Sequence, residues 1–427
     1  MISIWFLFYN TIVYPIIFFV FAIFSLFNSK IRSGFRGRFY TNYKLNNYFK
    51  YNKTNSNIYW FHSSSLGEFY QLLPVLEGVK QIEPDSLALV SFFSPSGYQN
   101  ASSDLIDLKV YLPFDFFWSV KRSLDLVKPK KLIFASYDIW PNLIWYAKSK
   151  DIHINIFALR FNNNSCKLKP VFRNFFRSVY KSFSTIYTIS ENDSLTIRFL
   201  IRKMNSQKLK ALGNPRYDMV KHSAENIFKV QTESILLRPK RLILASVHKE
   251  DDKIILPVIF ELLNLFPELN IVYVPHEPVK KLVALYKNRF EEKGFNPVVF
   301  EDASNLTIPN ERVVILGIIG VLSRMYWQAQ IAYVGGGFST GIHNVMEPAV
   351  ANLPVIFGPK YHDFQEAEEL LKNRGGFSVK SESEFRKIFK LLFTNEENLL
   401  KSSLAATDVI HRNLGSASRI VRGIIHD

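Results

Sequence analysis

The chain has 427 residues, 48% of them hydrophobic and 21% charged. These proportions exclude a disordered chain, and the length exceeds what one core supports, so two domains are expected. The single cysteine, Cys166, excludes a disulfide framework and fits a reducing compartment, and no Cys/His cluster has zinc-ligand spacing in sequence. A formal net charge of +16 points to anionic partners, either nucleic acid or an anionic membrane surface.

The N-terminus favours the membrane. Met1 to Ser29 contains no Asp, Glu, Lys or Arg, is rich in Ile, Phe, Val and Leu, and is long enough to cross a bilayer. Lys30, Arg32, Arg36 and Arg38 follow, a flank that predicts an outside N-terminus and a cytoplasmic body. A cleaved signal peptide fits less well, because no basic region precedes the run and no A-x-A site ends it. Asn10 and Pro15 weaken a spanning helix, and a helix lying in the interface is the alternative. Residues 1–29 therefore read as an anchor and 30–57 as a basic and polar connector, with Tyr40–Asn57 rich in Asn, Tyr and Lys.

From Ile58 onward, short apolar runs alternate with helical patterns. Strands are expected at Ile58–Phe61, Leu87–Phe93, Lys131–Ala135, Ile152–Leu159 and Thr185–Ile189, with an amphipathic helix over Phe69–Val79. Gly213-Asn214-Pro215 breaks the series, and a polar, helix-prone Lys221–Arg238 follows. The rhythm restarts with strands at Arg241–Ser246, Asn270–Val274, Val313–Leu316, Ile331–Val334 and Pro354–Phe357. Such alternation predicts two Rossmann-like α/β domains, 58–220 and 221–427, facing a cleft.

The polar segments that carry chemistry nearly all follow strands, where ligands bind in open α/β sheets. Phe61–Phe69 contains Ser65, Gly67 and Glu68. A carboxylate at a helix start is either a cap or a general base. In Ser136–Asn142, Asp138 is placed to orient a hydroxyl or a cation, and Trp140 and Pro141 read as packing and helix-start residues. In Gly213–Asp218, Arg216 either holds a phosphate or pairs with Asp218. Ser246 and His248 end the first strand of the second domain, and His276 follows its next strand.

The most informative stretch is Val334–Val350. Gly335, Gly336, Gly337 and Gly341 allow positive φ and close backbone approach, and a helix can begin near Asn344 with Glu347 in its first turn. Free N–H groups there would meet a phosphate and Glu347 a sugar hydroxyl; a tight structural turn is the alternative reading. Phe357–Glu366 adds Lys360 and His362.

WFHSSSLGEF, SYDIWPNLI, GNPRYD, VPHEP, GGGFSTGIHNVMEPA and PVIFGPKYHDFQEA, in this order, resemble the motif set of the 3-deoxy-D-manno-octulosonic acid (Kdo) transferases, in the style of Bacteroidetes-type bacteria. The resemblance covers essentially the whole chain. It implies a GT-B fold with an N-terminal acceptor domain and a C-terminal nucleotide-sugar domain. It implies inverting, metal-independent transfer of Kdo from CMP-Kdo to a lipid A precursor at the cytoplasmic face of the inner membrane, without a cofactor. Glu68 falls on the family's general base. Gly341, His343, Asn344 and Glu347 fall on its G-G-x-N-x-x-E segment, with Ile342 replacing a glycine. Arg216, Ser246, His248, His276, Gly335 and Gly336 complete the implied donor site, and Ser65, Gly67 and Asp138 the acceptor site. His276 stands where the family has an arginine, and Ser136-Tyr137-Asp138 where it has E-T-E.

Two other readings compete. One is a GT-B enzyme using a UDP-sugar. The other is a non-catalytic, membrane-tethered protein that binds an anionic ligand. Nucleic-acid binding lacks support, because the basic residues are scattered and no aromatic RNA-type motif occurs.

Overall fold

The computed structural model describes residues 4–52, 55–161, 165–202, 209–228, 234–302, 304 and 307–426. Residues 1–3 of the expected anchor, 53–54 of the connector and 229–233 of the polar region before Arg241 lie outside them. The chain divides into two units: Met1–Met219 with Gly415–Asp427, and Val220–Leu414.

The first unit is built on seven parallel strands: β1 (Ile58–Ser63), β2 (Leu87–Phe92), β3 (Leu108–Tyr111), β4 (Lys131–Ala135), β5 (His153–Leu159), β6 (Thr185–Thr188) and β7 (Leu209–Ala211). Their order is β3-β2-β1-β4-β5-β6-β7. Side chains alternate across the sheet with period two. Trp60 enters one buried cluster with Leu89, Leu132 and Ile154, while Tyr59 and Phe61 enter the other with Phe69, Leu72 and Val90. Both faces are covered, as a parallel sheet requires.

The second unit repeats the plan with β8 (Arg241–Val247), β9 (Asn270–Pro275), β10 (Val298–Phe300), β11 (Val313–Leu316), β12 (Ile331–Val334), β13 (Val355–Phe357) and β14 (Gly376–Ser378). The order is β10-β11-β9-β8-β12-β13-β14.

Three features depart from the sequence reading. The last helix, Ser416–His426, belongs to the first unit, not to the second. Its Ala417, Ile420, Val421 and Ile424 join the cluster around Phe69 and Leu72. Asp218 receives the N–H groups of Gly415 (2.6 Å) and Ala417 (2.9 Å) at the start of this helix. Second, the connector is itself folded and packed. It contains helices Ser29–Phe39 and Thr41–Tyr51, with Leu45 fully buried. Third, Arg38 is not part of a solvated basic flank. It is buried, donates to the Phe93 carbonyl (2.5 Å) and lies 4.2 Å over the Phe93 ring.

The helical run Ile4–Phe27 is long and apolar enough to cross a membrane. One side of it is nonetheless docked on the first unit. Tyr9 Oη donates to Asp115 Oδ2 (2.9 Å), and Tyr14 Oη accepts the Asp115 N–H (2.5 Å). Asn10 and Asn142 exchange two amide hydrogen bonds of 2.9 Å. Asp115 is buried and also receives the N–H groups of Asn142 and Leu143, both at 3.0 Å. A π-turn over Tyr9–Val13 precedes Pro15 and absorbs its missing N–H. Ile12, Ile16, Phe19, Val20, Ile23 and Phe27 are exposed.

The docked face is therefore part of the first unit's fold. Tyr9→Phe should lower its stability by about 1–3 kcal/mol, the cost of removing a donor from a buried acceptor. Urea unfolding followed by tryptophan fluorescence checks this. An unchanged midpoint would mean the helix does not stay docked.

Candidate active site

In the first unit the site grows from the carboxyl end of β1. Ser65 leaves the strand in an extended conformation and caps the helix Leu66–Ile82, its Oγ accepting the Glu68 N–H at 3.5 Å. Glu68 Oε2 accepts the Ser64 N–H at 2.6 Å, so the capping role is real. The carboxyl group is also nearly buried. Burial, with the charge of Asp138 second, pushes it up to about 7 despite the Ser64 hydrogen bond and the nearby His62. Gly67, in the same turn, is exposed, and a Cβ there would meet nothing closer than Ser65 Oγ at 3.9 Å.

His62 organises the neighbours of Glu68. Fully buried on β1, its Nδ1 lies 3.0 Å from Ser91 Oγ and 3.1 Å from Ser91 O. Its Nε2 lies 3.1 Å from Asp138 Oδ2, which also accepts from Trp140 Nε1 at 3.2 Å. Ser136, at the end of β4, has φ +63°, a costly conformation for a residue with a Cβ. Its Oγ donates to Gln71 Oε1 at 2.5 Å, and Gln71 Nε2 reaches Asn214 Oδ1 at 3.5 Å. Asn214 Oδ1 also accepts the Arg216 N–H at 3.0 Å, and Arg216 opens the helix Arg216–Phe228 that leads into the second unit.

In the second unit, β8, β9 and β12 deliver three imidazoles to one place. His248 Nε2 and His343 Nε2 are 2.8 Å apart. The His276 ring stacks on His248 with centroids 4.2 Å apart and lies 4.6 Å from His343. Burial first, then the neighbouring imidazoles, lowers His343 to about 4, and burial lowers His276. Both shifts bias these imidazoles toward the neutral form, which offers a hydrogen bond or a lone pair.

The Gly-rich loop is shaped by contact. A Cβ on Gly335 would meet Ser246 O at 2.4 Å, and one on Gly337 would meet Gly358 Cα at 2.6 Å. Gly336 and Gly341 have φ of +90° and +128°. Ser246, in the irregular end of β8, has φ +52°. The helix after the loop is only Met346–Val350, so the expected helix-dipole contribution to anion binding is small. Asn344 Oδ1 accepts the Met346 N–H at 3.1 Å, and its Nδ2 donates to Glu347 Oε1 at 2.8 Å, which fixes that carboxylate.

The structure thus groups Ser65, Gly67, Glu68 and Asp138 in the first unit, with Arg216 at that unit's end. It groups Ser246, His248, His276, Gly335, Gly336, Gly341, His343, Asn344 and Glu347 in the second. Sequence reasoning missed His62 and Gln71, and it missed Asp251. The buried Asp251 accepts from His248 N (2.9 Å), Gly336 N (2.7 Å) and Tyr333 Oη (2.8 Å), joining the ends of β8 and β12. An acidic run at a helix start, Glu250-Asp251-Asp252, was its only local signal.

Glu68 and Asp115 both have folded-state values near 7, against ordinary values of 4.5 and 3.8. The folded state then binds these protons more tightly than the unfolded chain. Their stabilisation is fully present below about pH 4 and is lost as pH rises to about 7. The first unit's unfolding midpoint should fall from pH 5 to pH 7.5, and Glu68→Gln should flatten that fall. A fall as steep in the variant as in the natural chain would show that Glu68 titrates normally.

A family model for 3-deoxy-D-manno-octulosonic-acid transferases matches residues 35–219. The 3-deoxy-D-manno-octulosonic acid transferase of Aquifex aeolicus is 28% identical over 343 residues, 79% of this chain and 87% of the relative. That of Haemophilus influenzae is 28% identical over 375 residues, 85% of each chain. Among solved structures, UDP-GlcNAc 2-epimerase from Neisseria meningitidis gives a TM-score of 0.61 at 14% identity, covering 87% of this chain and 100% of that one. A putative UDP-N-acetylglucosamine 2-epimerase from Listeria monocytogenes gives 0.59 at 13%, covering 86% and 96%. These likenesses carry the fold alone, the pair of Rossmann-like units of the GT-B class. Together with the ordered motifs, the match over residues 35–219 and these relatives make this chain a glycosyltransferase that is similar to the Kdo transferases.

Proposed function

We propose that the protein transfers Kdo from CMP-Kdo to a lipid A precursor, with inversion and with Glu68 as the general base. The observation that carries the mechanism is Glu68: a buried carboxyl at a strand end, held near 7, where a base is both ionised and basic enough to work at neutral pH. A sugar hydroxyl is a weak nucleophile. As its oxygen bonds to the anomeric carbon of Kdo, Glu68 takes its proton, and the bond from that carbon to the CMP phosphate oxygen breaks. CMP leaves with the bonding pair. Asp138, fixed by His62 and Trp140, orients the acceptor, with Ser65 and Gly67 in the adjoining turn.

The donor is assigned to the second unit. Gly335, Gly336 and Gly341 bring backbone close to the nucleotide, and the fixed Glu347 takes ribose hydroxyls. Ser246, His248, His276, His343 and Asn344 surround the phosphate and sugar, and Arg216 adds a cation. A monophosphate leaving group requires less neutralisation than a diphosphate.

A lipid acceptor fits the first unit. A small, partly open apolar hollow lies against the Ile4–Phe27 helix, lined by Tyr14, Phe18, Phe21, Phe93 and Trp140, with Arg38 among them. Trp140 connects this hollow to Asp138. The docking through Tyr9, Asn10 and Tyr14 favours a helix lying in the cytoplasmic interface of the inner membrane over one that spans it, with Ile16, Phe19 and Ile23 facing the acyl chains.

The test is CMP release on mixing CMP-Kdo with a tetraacylated lipid A precursor. Glu68→Gln should lower turnover about a hundredfold or more with CMP binding retained. The natural enzyme's kcat/KM should rise with pH and level off above about 7, since the base must be deprotonated. Near-normal turnover in the variant rejects the role of Glu68. Thermal protection by UDP instead of CMP would favour the UDP-sugar reading, and no CMP release at all would favour the non-catalytic one.

A further inference from the structure

We propose that His248, His276 and His343 form a binding site for a zinc-class transition-metal ion, with a fourth coordination position open toward solvent. One ring nitrogen from each residue lies within 4.8 Å of the other two. Three nitrogens bound tetrahedrally at about 2.0–2.1 Å from zinc are about 3.3 Å apart. The 2.8 Å separation of His248 and His343 lies below that value and the 4.8 Å limit above it, so modest rotations of the rings suffice.

The scaffold is pre-organised for such a role. Each imidazole follows a different strand, and each backbone is pinned to a neighbouring strand end. The His276 N–H donates to Val247 O, and the His343 N–H donates to Gly335 O, both at 3.1 Å. The His248 N–H is held by the buried Asp251 at 2.9 Å. His248 also has the outer-shell partner that metal-binding histidines use: its Nδ1 lies 3.2 Å from Ser339 Oγ, which turns Nε2 inward. His276 is the exposed member, so the open side of the trio faces solvent, where water or an anionic oxygen completes the coordination.

Such a site goes beyond the donor reading, which asks of these residues only hydrogen bonds to CMP-Kdo. It concerns ion binding alone, and the proposed transfer step needs no metal. Neutral imidazole nitrogens suit zinc, copper and nickel better than magnesium or calcium, and that order gives the site its selectivity.

The experiment is a zinc titration of the full-length, chelator-stripped protein against a chromophoric chelator, with bound metal counted by elemental analysis. One zinc per chain is expected, with a raised unfolding temperature. His276→Ala, at an exposed position that leaves both cores intact, should weaken binding by about tenfold or more, and Ser339→Ala by about tenfold. Magnesium should not compete.

Substoichiometric zinc overturns the proposal, as does zinc that binds His276→Ala equally well. Binding of inorganic phosphate but not zinc would also overturn it, making the trio an anion site. CMP affinity of the stripped protein separates this from the functional reading. CMP binding without zinc binding removes only the metal site, and zinc binding without CMP binding removes only the donor assignment.

Discussion

A parallel sheet releases every strand at the same edge, and the released backbone must find hydrogen-bond acceptors where it is still buried. In this protein buried or half-buried carboxylates supply them. Asp115 takes the N–H groups of Asn142 and Leu143, and Asp193 takes those of Phe161 and Ser190. Asp251 takes those of His248 and Gly336, and Glu68 takes that of Ser64. Each bond joins a loop to a neighbouring strand end or helix start. The carboxyl edges of both sheets are held in shape by this device, and the candidate sites lie on those edges.

The same device prepares the chemistry. A carboxylate taken out of water to satisfy backbone loses hydration, and its proton affinity rises. Asp115 and Glu68 have both moved to about 7, but their surroundings differ. Asp115 is enclosed by Tyr9, Tyr14 and Asn142, where it docks the N-terminal helix and holds the N–H groups of Asn142 and Leu143. Glu68 sits in the first turn of a helix next to Gly67, within electrostatic reach of Asp138 and His62. Under the proposed mechanism, a structural cap and a proton acceptor would be one residue in two roles. Capping fixes the geometry that a base requires, and burial adjusts its strength.

What was legible in the sequence follows from how locally each feature is encoded. All ten predicted strands exist, because central strands buried on both faces read as continuous apolar runs. The four that were missed are β3, β7, β10 and β14, the four edge strands of the two sheets. They are only three or four residues long, and β3 and β7 each carry a lysine, so their apolar signal is short or broken. Motif residues next to strand ends were equally visible, Glu68 and His248 among them. His62, Gln71 and Asp251 were not, since each acts through partners 20 or more positions away in sequence: His62 through Ser91 and Asp138, Gln71 through Ser136 and Asn214, Asp251 through Tyr333 and Gly336. The return of the Ser416–His426 helix to the first unit was hidden for the same reason. Local sequence does not say which sheet its Ala417, Ile420, Val421 and Ile424 cover.

The N-terminal helix shows how a few polar atoms change the meaning of an apolar run. By length and hydropathy alone, Ile4–Phe27 reads as a span. A span would carry Tyr9, Asn10 and Tyr14 into hydrocarbon, break their bonds to Asp115 and Asn142, and leave both ends of that network short of partners. The basic residues after the helix are likewise occupied: the Arg32 guanidinium donates to the carbonyls of Ser25 and Leu26 at the helix end, and Arg38 is buried against Phe93. The charge pattern that signals topology in a spanning protein is therefore partly spent here on closing a helix and filling a core. A helix that keeps its polar side on the protein and gives its apolar side to the bilayer satisfies both sets of groups at once. Under the proposed function, such a helix would also bring the aromatic hollow beside Trp140 to the lipid surface, where an acylated acceptor would enter.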